Sequence, residues 1–300
     1  MAGLPVVAVV GAGRMGGAMA GRLRDAGGAV VVYNRTRAKA AAVADRTGAA
    51  VASTAREAAA AAAVVLVSLA DDAAVEAAYR GPDGLLTGLG GHHVVLETST
   101  IAPETVRSVA DLVAERGATL LDAPVSGSVH AAARGELTFM VGGDPAALDR
   151  VRPVLDVLGA RVFHLGDPGA GAVMKLAVNS ALGGLNQAVC EALVLAERAG
   201  VDRAAGYEVF AASAVGAPYL HYKRAAFEQP DRTPVAFSLD LVAKDQSLIV
   251  ALAERVGARM DQARTNARIV AEARAAGLGE RDMSALAGYL RDHPEGPAGV

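Results

Sequence analysis

The sequence places two polar residues, Lys175 and Asn179, four positions apart in a segment that is otherwise apolar. Residues four apart share one face of a helix, so both side chains would act on the same bound group. A lysine serves as a general acid or base when burial or a neighbouring cation lowers its pKa toward neutrality. The pair therefore predicts proton transfer to or from a bound molecule.

The scarcity of lysine strengthens this prediction. Lysine and arginine together number 29, and only four of these residues are lysine. Arginine replaces lysine as a surface charge but not as a proton-transfer group, because its pKa stays above about 12. The four lysines are Lys39, Lys175, Lys223 and Lys244. We expect Lys39 and Lys223 to be ordinary surface residues.

A glycine-rich motif, GAGRMG at residues 11–16, follows a short valine-rich run and precedes a helical pattern. Gly11 permits a tight turn, Gly13 lets the backbone approach a pyrophosphate, and Gly16 lets helix and strand pack closely. The phosphates would lie at the helix N-terminus, where backbone N–H groups favour anions. The motif predicts a dinucleotide site to which Arg14 and Met15 also contribute.

The end of the second strand pattern indicates which dinucleotide binds. An NAD site usually has an acid about 20 residues past the glycines, whereas this chain reads Asn34-Arg35-Thr36. Asn34 can bond a ribose hydroxyl, Arg35 can pair with a 2′-phosphate, and Thr36 can donate a hydroxyl and cap the next helix. We predict NADP(H); the alternative is that Arg35 is only a solvated loop charge.

Composition limits the classes of partner. A net charge of −3 over 300 residues gives no basic surface for nucleic acid or for an anionic membrane, and there is no Trp for base stacking. The longest apolar stretch, residues 58–69, is too short to span a membrane. The first residues lack the basic region of a signal peptide, and the single cysteine, Cys190, fits a reducing cytoplasm. We therefore expect a cytoplasmic protein with a small-molecule substrate.

Strand and helix patterns alternate in the first half of the chain. The strand runs are too apolar to alternate between core and solvent, which is typical of a parallel sheet covered on both faces. They lie near residues 6–10, 29–33, 64–69, 94–97, 119–122 and 137–141. From about Gly166 only helical patterns follow, beginning with one long helix at residues 169–199. We predict an α/β Rossmann-type NADP-binding domain in residues 1–165 and an all-α substrate and dimerisation domain in residues 166–300.

Four segments resemble the β-hydroxyacid dehydrogenase family in order and spacing. They are residues 11–16 (GAGRMG), 122–127 (DAPVSG), 169–179 (GAGAVMKLAVN) and 237–245 (FSLDLVAKD). The family includes 3-hydroxyisobutyrate dehydrogenase, tartronate semialdehyde reductase and, more distantly, 6-phosphogluconate dehydrogenase with its helical C-terminal domain. The resemblance implies an NADP(H)-dependent oxidoreductase that interconverts a small 3-hydroxy acid and its semialdehyde or keto form by hydride transfer.

The resemblance also implies roles for single residues. Lys175 matches the catalytic lysine, and Asn179 matches the asparagine that orients the substrate. Ser126 and Gly127 match the loop that holds the substrate carboxylate, and Lys244 matches the lysine of a KD motif that contacts cofactor and substrate. Two further segments would contact the cofactor: Leu69 with Ala70, and Thr100 beside the nicotinamide.

Some positions depart from the family pattern. Ser128 and Ala131 stand where the family often has glycine, and Val178 stands where it usually has asparagine. These changes affect the predicted substrate more than the predicted reaction. His130, Tyr219, His221 and Tyr222 receive no role, and the six histidines show no metal-ligand spacing, so no metal is predicted.

Alternatives remain open. Imine reductases share this scaffold and the Asn-Arg-Thr run but generally lack the lysine and the DAPVSG loop, and a non-catalytic dinucleotide-binding module tends to lose the proton-transfer residue. Lys244 could instead form a surface ion pair with Asp240 or Asp245. Cys190 is expected to be a packed small apolar residue. The apolar surface of the long helix predicts a homodimer or a homotetramer.

Overall fold

The computed structural model describes residues 3–294 and divides the chain into two compact units, with the boundary between Leu176 and Ala177. The boundary falls inside the long helix, whose first residues therefore belong with the preceding sheet. This division lies later in the chain than the boundary at residue 165 that the sequence patterns suggest. The two units are described in turn.

A six-stranded parallel sheet forms the centre of the first unit. Its strands are β1 Val7–Val10, β2 Val30–Tyr33, β3 Ala50–Val51, β4 Val64–Val67, β5 Val94–Glu97 and β6 Thr119–Asp122, in the order β3-β2-β1-β4-β5-β6. Strands β1, β4 and β5 are buried along their whole length, as their valine-rich sequences predict for a sheet covered on both faces. The predicted Rossmann-type architecture is confirmed.

Helices cover both faces of this sheet. They are α1 Arg14–Asp25, α2 Arg37–Thr47, α3 Ala55–Ala60, α4 Asp72–Tyr79, α5 Pro103–Ala114, α6 Val129–Arg134, α7 Pro145–Leu158 and the start of α8 Ala170–Arg198. Alternate residues of β1 face opposite sides. Val7 and Val9 pack against α1, α2, α6 and α7, whereas Ala8 and Val10 share the second apolar cluster with α3, α4 and α5.

A second, three-stranded sheet in this unit is only partly predictable. Its strands are β7 Val125–Ser126, β8 Leu137–Val141 and β9 Gly159–His164, in the order β7-β8-β9. Only β8 follows from the apolar pattern. Strand β9 is exposed or half-buried at every position, so it has no run of apolar residues to reveal it. The sequence patterns also miss α6 and α7.

The second unit is helical around one apolar core. Its further helices are α9 Arg203–Ala212, α10 Pro218–Glu228, α11 Leu239–Val256, α12 Asp261–Ala273 and α13 Leu286–Asp292, the last preceded by a short 3-10 turn at Met283–Ala285. Cys190 is buried in this core, as predicted. No strand follows His164 within residues 3–294, which agrees with the predicted helical domain. Helix α10 was not predicted; it begins with Pro218 at its first turn, a position that suits proline.

Candidate active site

The glycine loop between β1 and α1 is built so that two of its glycines cannot carry a side chain. Gly11 has φ +107°, and a Cβ atom there would overlap the carbonyl oxygen of Ser68. A Cβ atom on Gly16 would overlap the carbonyl oxygen of Gly11. Glycine is therefore required at both positions by contacts within the protein itself.

Gly13 differs, because the protein leaves the space beside it open. It is the N-cap residue of α1, and a Cβ atom there would meet nothing within 4 Å. The first turn of α1 contains no acidic residue. Open space and unopposed N–H groups are what a bound phosphate needs at a helix N-terminus. Arg14 is exposed in this turn, and Met15 packs partly against the core.

The residues after β2 lie beside this loop. The Asn34 side chain accepts a hydrogen bond from the Ala12 N–H at 3.0 Å and donates to the Thr36 carbonyl at 3.1 Å, so it ties the glycine loop to the end of β2. Arg35 and Thr36 are exposed. Thr36 is the N-cap residue of α2, but its hydroxyl makes no capping hydrogen bond. The prediction that this hydroxyl caps the helix is wrong.

The loops after β4 and β5 are joined by a buried hydrogen-bond network. The Ser99 hydroxyl accepts from the Leu69 N–H at 2.8 Å, and the Ser99 N–H donates to the Glu97 carboxylate at 3.0 Å. The Tyr79 hydroxyl donates to the other Glu97 oxygen at 3.0 Å. The network fixes the backbone on which the predicted cofactor contacts Leu69 and Thr100 lie, whereas Ala70 is exposed at the same loop.

Glu97 was not predicted as a site residue. In the structure its side chain is fully buried. Burial raises its pKa from 4.5 to about 7, while the hydrogen bonds from Ser99 and Tyr79 oppose this shift. A charged residue at the end of an otherwise apolar strand was the available signal. Only the structure shows that Tyr79, eighteen residues earlier in the chain, is its partner.

Asp122 connects the end of β6 to the start of α8. Its side chain is 0% exposed, and its two carboxylate oxygens accept from the Gly169 N–H at 2.9 Å and the Ala172 N–H at 2.8 Å. Burial raises the pKa of Asp122, and the N–H groups of Gly169 and Ala172 oppose this shift. Lys175 follows in the next turn of α8 and is half-buried.

Gly171 explains how α8 comes so close to the strands. A Cβ atom there would overlap the Met140 carbonyl oxygen and lie 2.8 Å from the Asp122 carbonyl oxygen. The first turn of α8 therefore lies against the backbone of β6 and β8. The helix that bears Lys175 therefore begins beside the carboxyl end of β6, at the same edge of the sheet as the glycine loop after β1.

The segment after Asp122 contains the residues predicted to hold a carboxylate. Ser126 pairs with Thr138 in the antiparallel ladder of β7 and β8, and Gly127 is exposed with φ +140°. Ser128, one of the departures from the family pattern, caps α6 by accepting from the Ala131 N–H at 3.2 Å. Ser128 therefore has a local structural role.

In the second unit, Asn179 and Lys244 meet at a common carboxylate. The Asn179 amide donates to one Asp245 oxygen at 2.6 Å, and the Lys244 ammonium lies 2.6 Å from the other. Asp245 is buried, while the Lys244 side chain is 22% exposed. Lys244 therefore does pair with Asp245, but the pair is largely buried and is not the surface ion pair of the alternative. Asp240 pairs with Arg274 instead.

The other polar residues of the sequence analysis have separate surroundings. Lys39 is exposed as expected, but Lys223 is 3% exposed and binds Asp282, so its prediction as a surface residue is wrong. The buried Tyr219 donates its hydroxyl to Asn186 at 2.6 Å. His130, His221 and Tyr222, which received no role from the sequence, have exposed side chains.

Comparison with known proteins agrees with this arrangement. A family model for the NAD binding domain of 6-phosphogluconate dehydrogenase matches residues 6–166, and a model described as NAD-binding of NADP-dependent 3-hydroxyisobutyrate dehydrogenase matches residues 169–290. A 3-hydroxyisobutyrate dehydrogenase of Pseudomonas aeruginosa is 40% identical over 210 residues, which is 70% of this chain and 70% of that protein. The chain belongs to the β-hydroxyacid dehydrogenase family. As a member of this family it is an oxidoreductase with NAD(P)-binding domains.

Solved structures of similar proteins share the fold over nearly the whole chain. The 3-hydroxyisobutyrate dehydrogenase of Mycobacterium tuberculosis with L-serine has a TM-score of 0.82 and 32% identity, covering 96% of this chain and 99% of that chain. Psf3 in complex with NADP+ and 2-OPP has a TM-score of 0.86 and 30% identity, covering 95% and 99%.

More distant relations share the fold alone. An imine reductase from Pseudomonas sp. has a TM-score of 0.65 at 24% identity, covering 97% of this chain and 100% of that chain. This likeness shows a common fold and nothing more, so it adds no support to the hypothesis of imine reduction. Within residues 3–294, no helix is long and apolar enough to cross a membrane.

Proposed function

We propose that this protein is an NADP(H)-dependent dehydrogenase that interconverts a small 3-hydroxy acid and its semialdehyde or keto form. The proposal rests on one observation in the first unit. The glycine loop follows β1, and Asp122 at the end of β6 holds the first turn of the helix that bears Lys175. The carboxyl ends of parallel strands form one edge of a sheet, which is where ligands of open α/β sheets bind.

The chain's own residues would supply binding and proton transfer. The glycine loop and the loop after β2 would hold NADP(H), which when bound would supply the acceptor for a hydride from the substrate carbon that carries the hydroxyl group. Lys175, as a neutral amine, would take the hydroxyl proton as that C–H bond breaks, and its ammonium form would return the proton in the reverse direction. Ser126 and Gly127 would hold the substrate carboxylate.

Asn179, Lys244 and Asp245 form a polar cluster within the second unit, and we assign roles to its members as part of the proposal. The Asp245 carboxylate fixes the amide of Asn179 and the ammonium of Lys244, so both side chains keep their orientation. The Asn179 carbonyl oxygen would then accept a hydrogen bond from a substrate hydroxyl. We assign orientation of the substrate to Asn179, and contact with cofactor and substrate to Lys244.

The preference for NADP(H) is part of the proposal. Arg35 is exposed at the loop after β2, beside the glycine loop, and no acidic residue accompanies it between Tyr33 and Arg37. A guanidinium suits a 2′-phosphate, and an acid there would repel it. Arg35→Ala should raise the Kd of NADPH about 10-fold and leave that of NADH nearly unchanged. Equal effects on both cofactors would contradict the assignment.

The lysine is tested by a substitution that keeps its charge. Lys175→Arg retains a cation but cannot exchange a proton near neutral pH. We expect it to bind NADPH with wild-type Kd in a fluorescence titration and to lose at least about 100-fold in kcat. Lys39→Arg, at an exposed position of the same unit, is the matched control. Turnover by Lys175→Arg at the wild-type rate would remove the lysine from the mechanism.

The reaction class is tested by a spectrophotometric screen of short 3-hydroxy acids and semialdehydes with NADP(H) and NAD(H). We expect turnover with at least one of these acids and faster turnover with NADP(H). Turnover of cyclic imines alone would assign imine reduction instead. NADPH binding without oxidation by any substrate would assign a non-catalytic module.

A further inference from the structure

The Asp122 carboxylate is unusual because it is wholly buried and its hydrogen-bond partners are backbone groups. Its oxygens accept from Gly169 and Ala172, and it lies against Gly142, where a Cβ atom would overlap it. Charges are rarely buried unless several hydrogen bonds stabilise them. Both oxygens act as acceptors here, which is the arrangement of an ionised carboxylate.

The position of this charge in the fold connects it with Lys175. Ala172 and Lys175 are three residues apart in α8, about 4.5 Å along the helix axis. A helix N-terminus carries a partial positive charge, which disfavours a lysine ammonium in the first turns. A carboxylate bound to those N–H groups offsets that charge.

We propose that Asp122 is a positioning residue for Lys175: it fixes the first turn of α8 and supplies the negative charge that favours the ammonium form of this lysine. The inference rests on the proposed role of Lys175 in proton transfer. It assigns Asp122, the first residue of the DAPVSG segment, to the lysine rather than to the substrate.

Three other titratable or charged groups of the first unit lie in the same region. Glu97 at the end of β5 interacts electrostatically with Asp122. The Arg107 guanidinium of α5 lies beside Gly169, since a Cβ atom there would be 3.1 Å from its Nε, and Arg107 also pairs with Glu104 at 3.4 Å. His164 of β9 bonds the Gly143 carbonyl nearby. Of these groups, Asp122 is the one bonded to the helix that carries Lys175.

The test is the pH profile of kcat for oxidation of the hydroxy acid, which requires the neutral amine. Asp122→Asn keeps the size of the side chain and removes its charge. The midpoint of the rising limb should move toward acid by about one pH unit, with a lower maximal kcat because the amide cannot accept from both N–H groups. Asp122→Ser, a neutral helix cap, is the second variant and should shift the midpoint in the same direction.

Asp144 provides a matched control. It caps α7 in the same unit by accepting from the Ala146 and Ala147 N–H groups, both at 3.2 Å. Asp144→Asn makes the same chemical change away from Lys175, and we expect the wild-type midpoint. A folded neutral variant of Asp122 that also keeps the wild-type midpoint would overturn the proposal.

Failure of the proposed function is distinguishable from failure of this inference. If Lys175→Arg turns over at the wild-type rate, the lysine assignment itself fails. If Lys175→Arg loses turnover while both Asp122 variants keep the wild-type midpoint, only the role of Asp122 fails. An acid shift in the Asp122 variants together with loss of turnover in Lys175→Arg supports both.

Discussion

Lys223 donates to both carboxylate oxygens of Asp282 at 2.7 Å inside the helical unit, where neither residue is exposed by more than 6%. Asp282 also accepts from the backbone N–H groups of Ala236, Phe237 and Ser284. The pair therefore joins α10 to the segment before α11 and to the 3-10 turn before α13. The KD motif lies on α11, so this ion pair supports its position.

Removal of Lys223 should destabilise the helical unit strongly. Lys223→Met keeps an unbranched side chain only one heavy atom shorter but leaves the Asp282 carboxylate buried without its cation, a loss of about 3–5 kcal/mol in the free energy of unfolding. Urea unfolding followed by circular dichroism measures it. Lys39→Met, at an exposed lysine, should change stability by less than about 0.5 kcal/mol. Equal stability of the two variants would show that the buried pair contributes nothing.

The glycine loop predicts opposite results for two similar substitutions. Gly13→Ala adds a methyl group where the protein leaves open space, so the variant should fold with nearly unchanged stability but bind NADPH at least about 10-fold more weakly. Gly16→Ala overlaps the Gly11 carbonyl and should lower stability by about 1–3 kcal/mol. Thermal unfolding and fluorescence titration separate the two effects. Wild-type NADPH affinity in Gly13→Ala would exclude a pyrophosphate at this position.

The Glu97 carboxyl predicts a pH dependence of stability. Its pKa is about 7 in the folded chain and 4.5 ordinarily, so between these values the folded state keeps a proton that the unfolded chain releases. The free energy of unfolding is therefore highest, as far as this group is concerned, below about pH 4.5. It falls by about 3 kcal/mol as the pH rises to 7, because the unfolded chain then loses the proton more readily than the folded chain. Glu97→Gln, which is neutral at every pH, should remove this part of the slope.

The measurement is urea unfolding at pH 5 and pH 8 for wild type, Glu97→Gln and Glu115→Gln. Glu115 is exposed at the end of α5, and its variant should keep the wild-type difference between the two pH values. If Glu97→Gln also keeps that difference, the buried carboxyl does not titrate in this range.

Asp245 should matter for catalysis through the two side chains that it holds. Asp245→Asn removes the charge opposite Lys244, and its amide can no longer accept from both neighbours, so kcat/KM should fall about 10- to 100-fold. Asp240→Asn, on the same helix, breaks an exposed pair with Arg274 and should leave kcat/KM within about 2-fold. Steady-state kinetics at saturating NADP(H) compares them. A wild-type kcat/KM for Asp245→Asn would show that this cluster takes no part in the reaction.

The sequence is most informative where apolar pattern and burial coincide. The strands at residues 94–97, 119–122 and 137–141 were predicted with their observed bounds, and the long helix to within one residue at each end, because these segments are largely apolar and buried. Strand β9 was missed because pairing with β8, rather than burial, makes it a strand.

The site residues likewise fall into those that local sequence predicts and those that depend on distant partners. The glycine loop is a local motif whose residues contact one another, so its geometry follows from its spacing. The partners of Asp122 and Lys223 lie 47 and 59 residues away in the chain, and no local pattern indicates such pairs. Lys223 was misjudged for this reason: a lysine among polar neighbours indicates exposure until its distant carboxylate is known.

The two hydrogen bonds of Asn34 have a consequence for changing coenzyme choice by protein engineering. The usual exchange introduces an acid at the end of the second strand, but here that position already binds the Ala12 N–H through its oxygen and the Thr36 carbonyl through its amide. An aspartate would keep the first bond and repel the Thr36 carbonyl. A redesign from the proposed NADPH preference toward NADH would therefore have to rebuild the backbone at residues 35–37 together with residue 34.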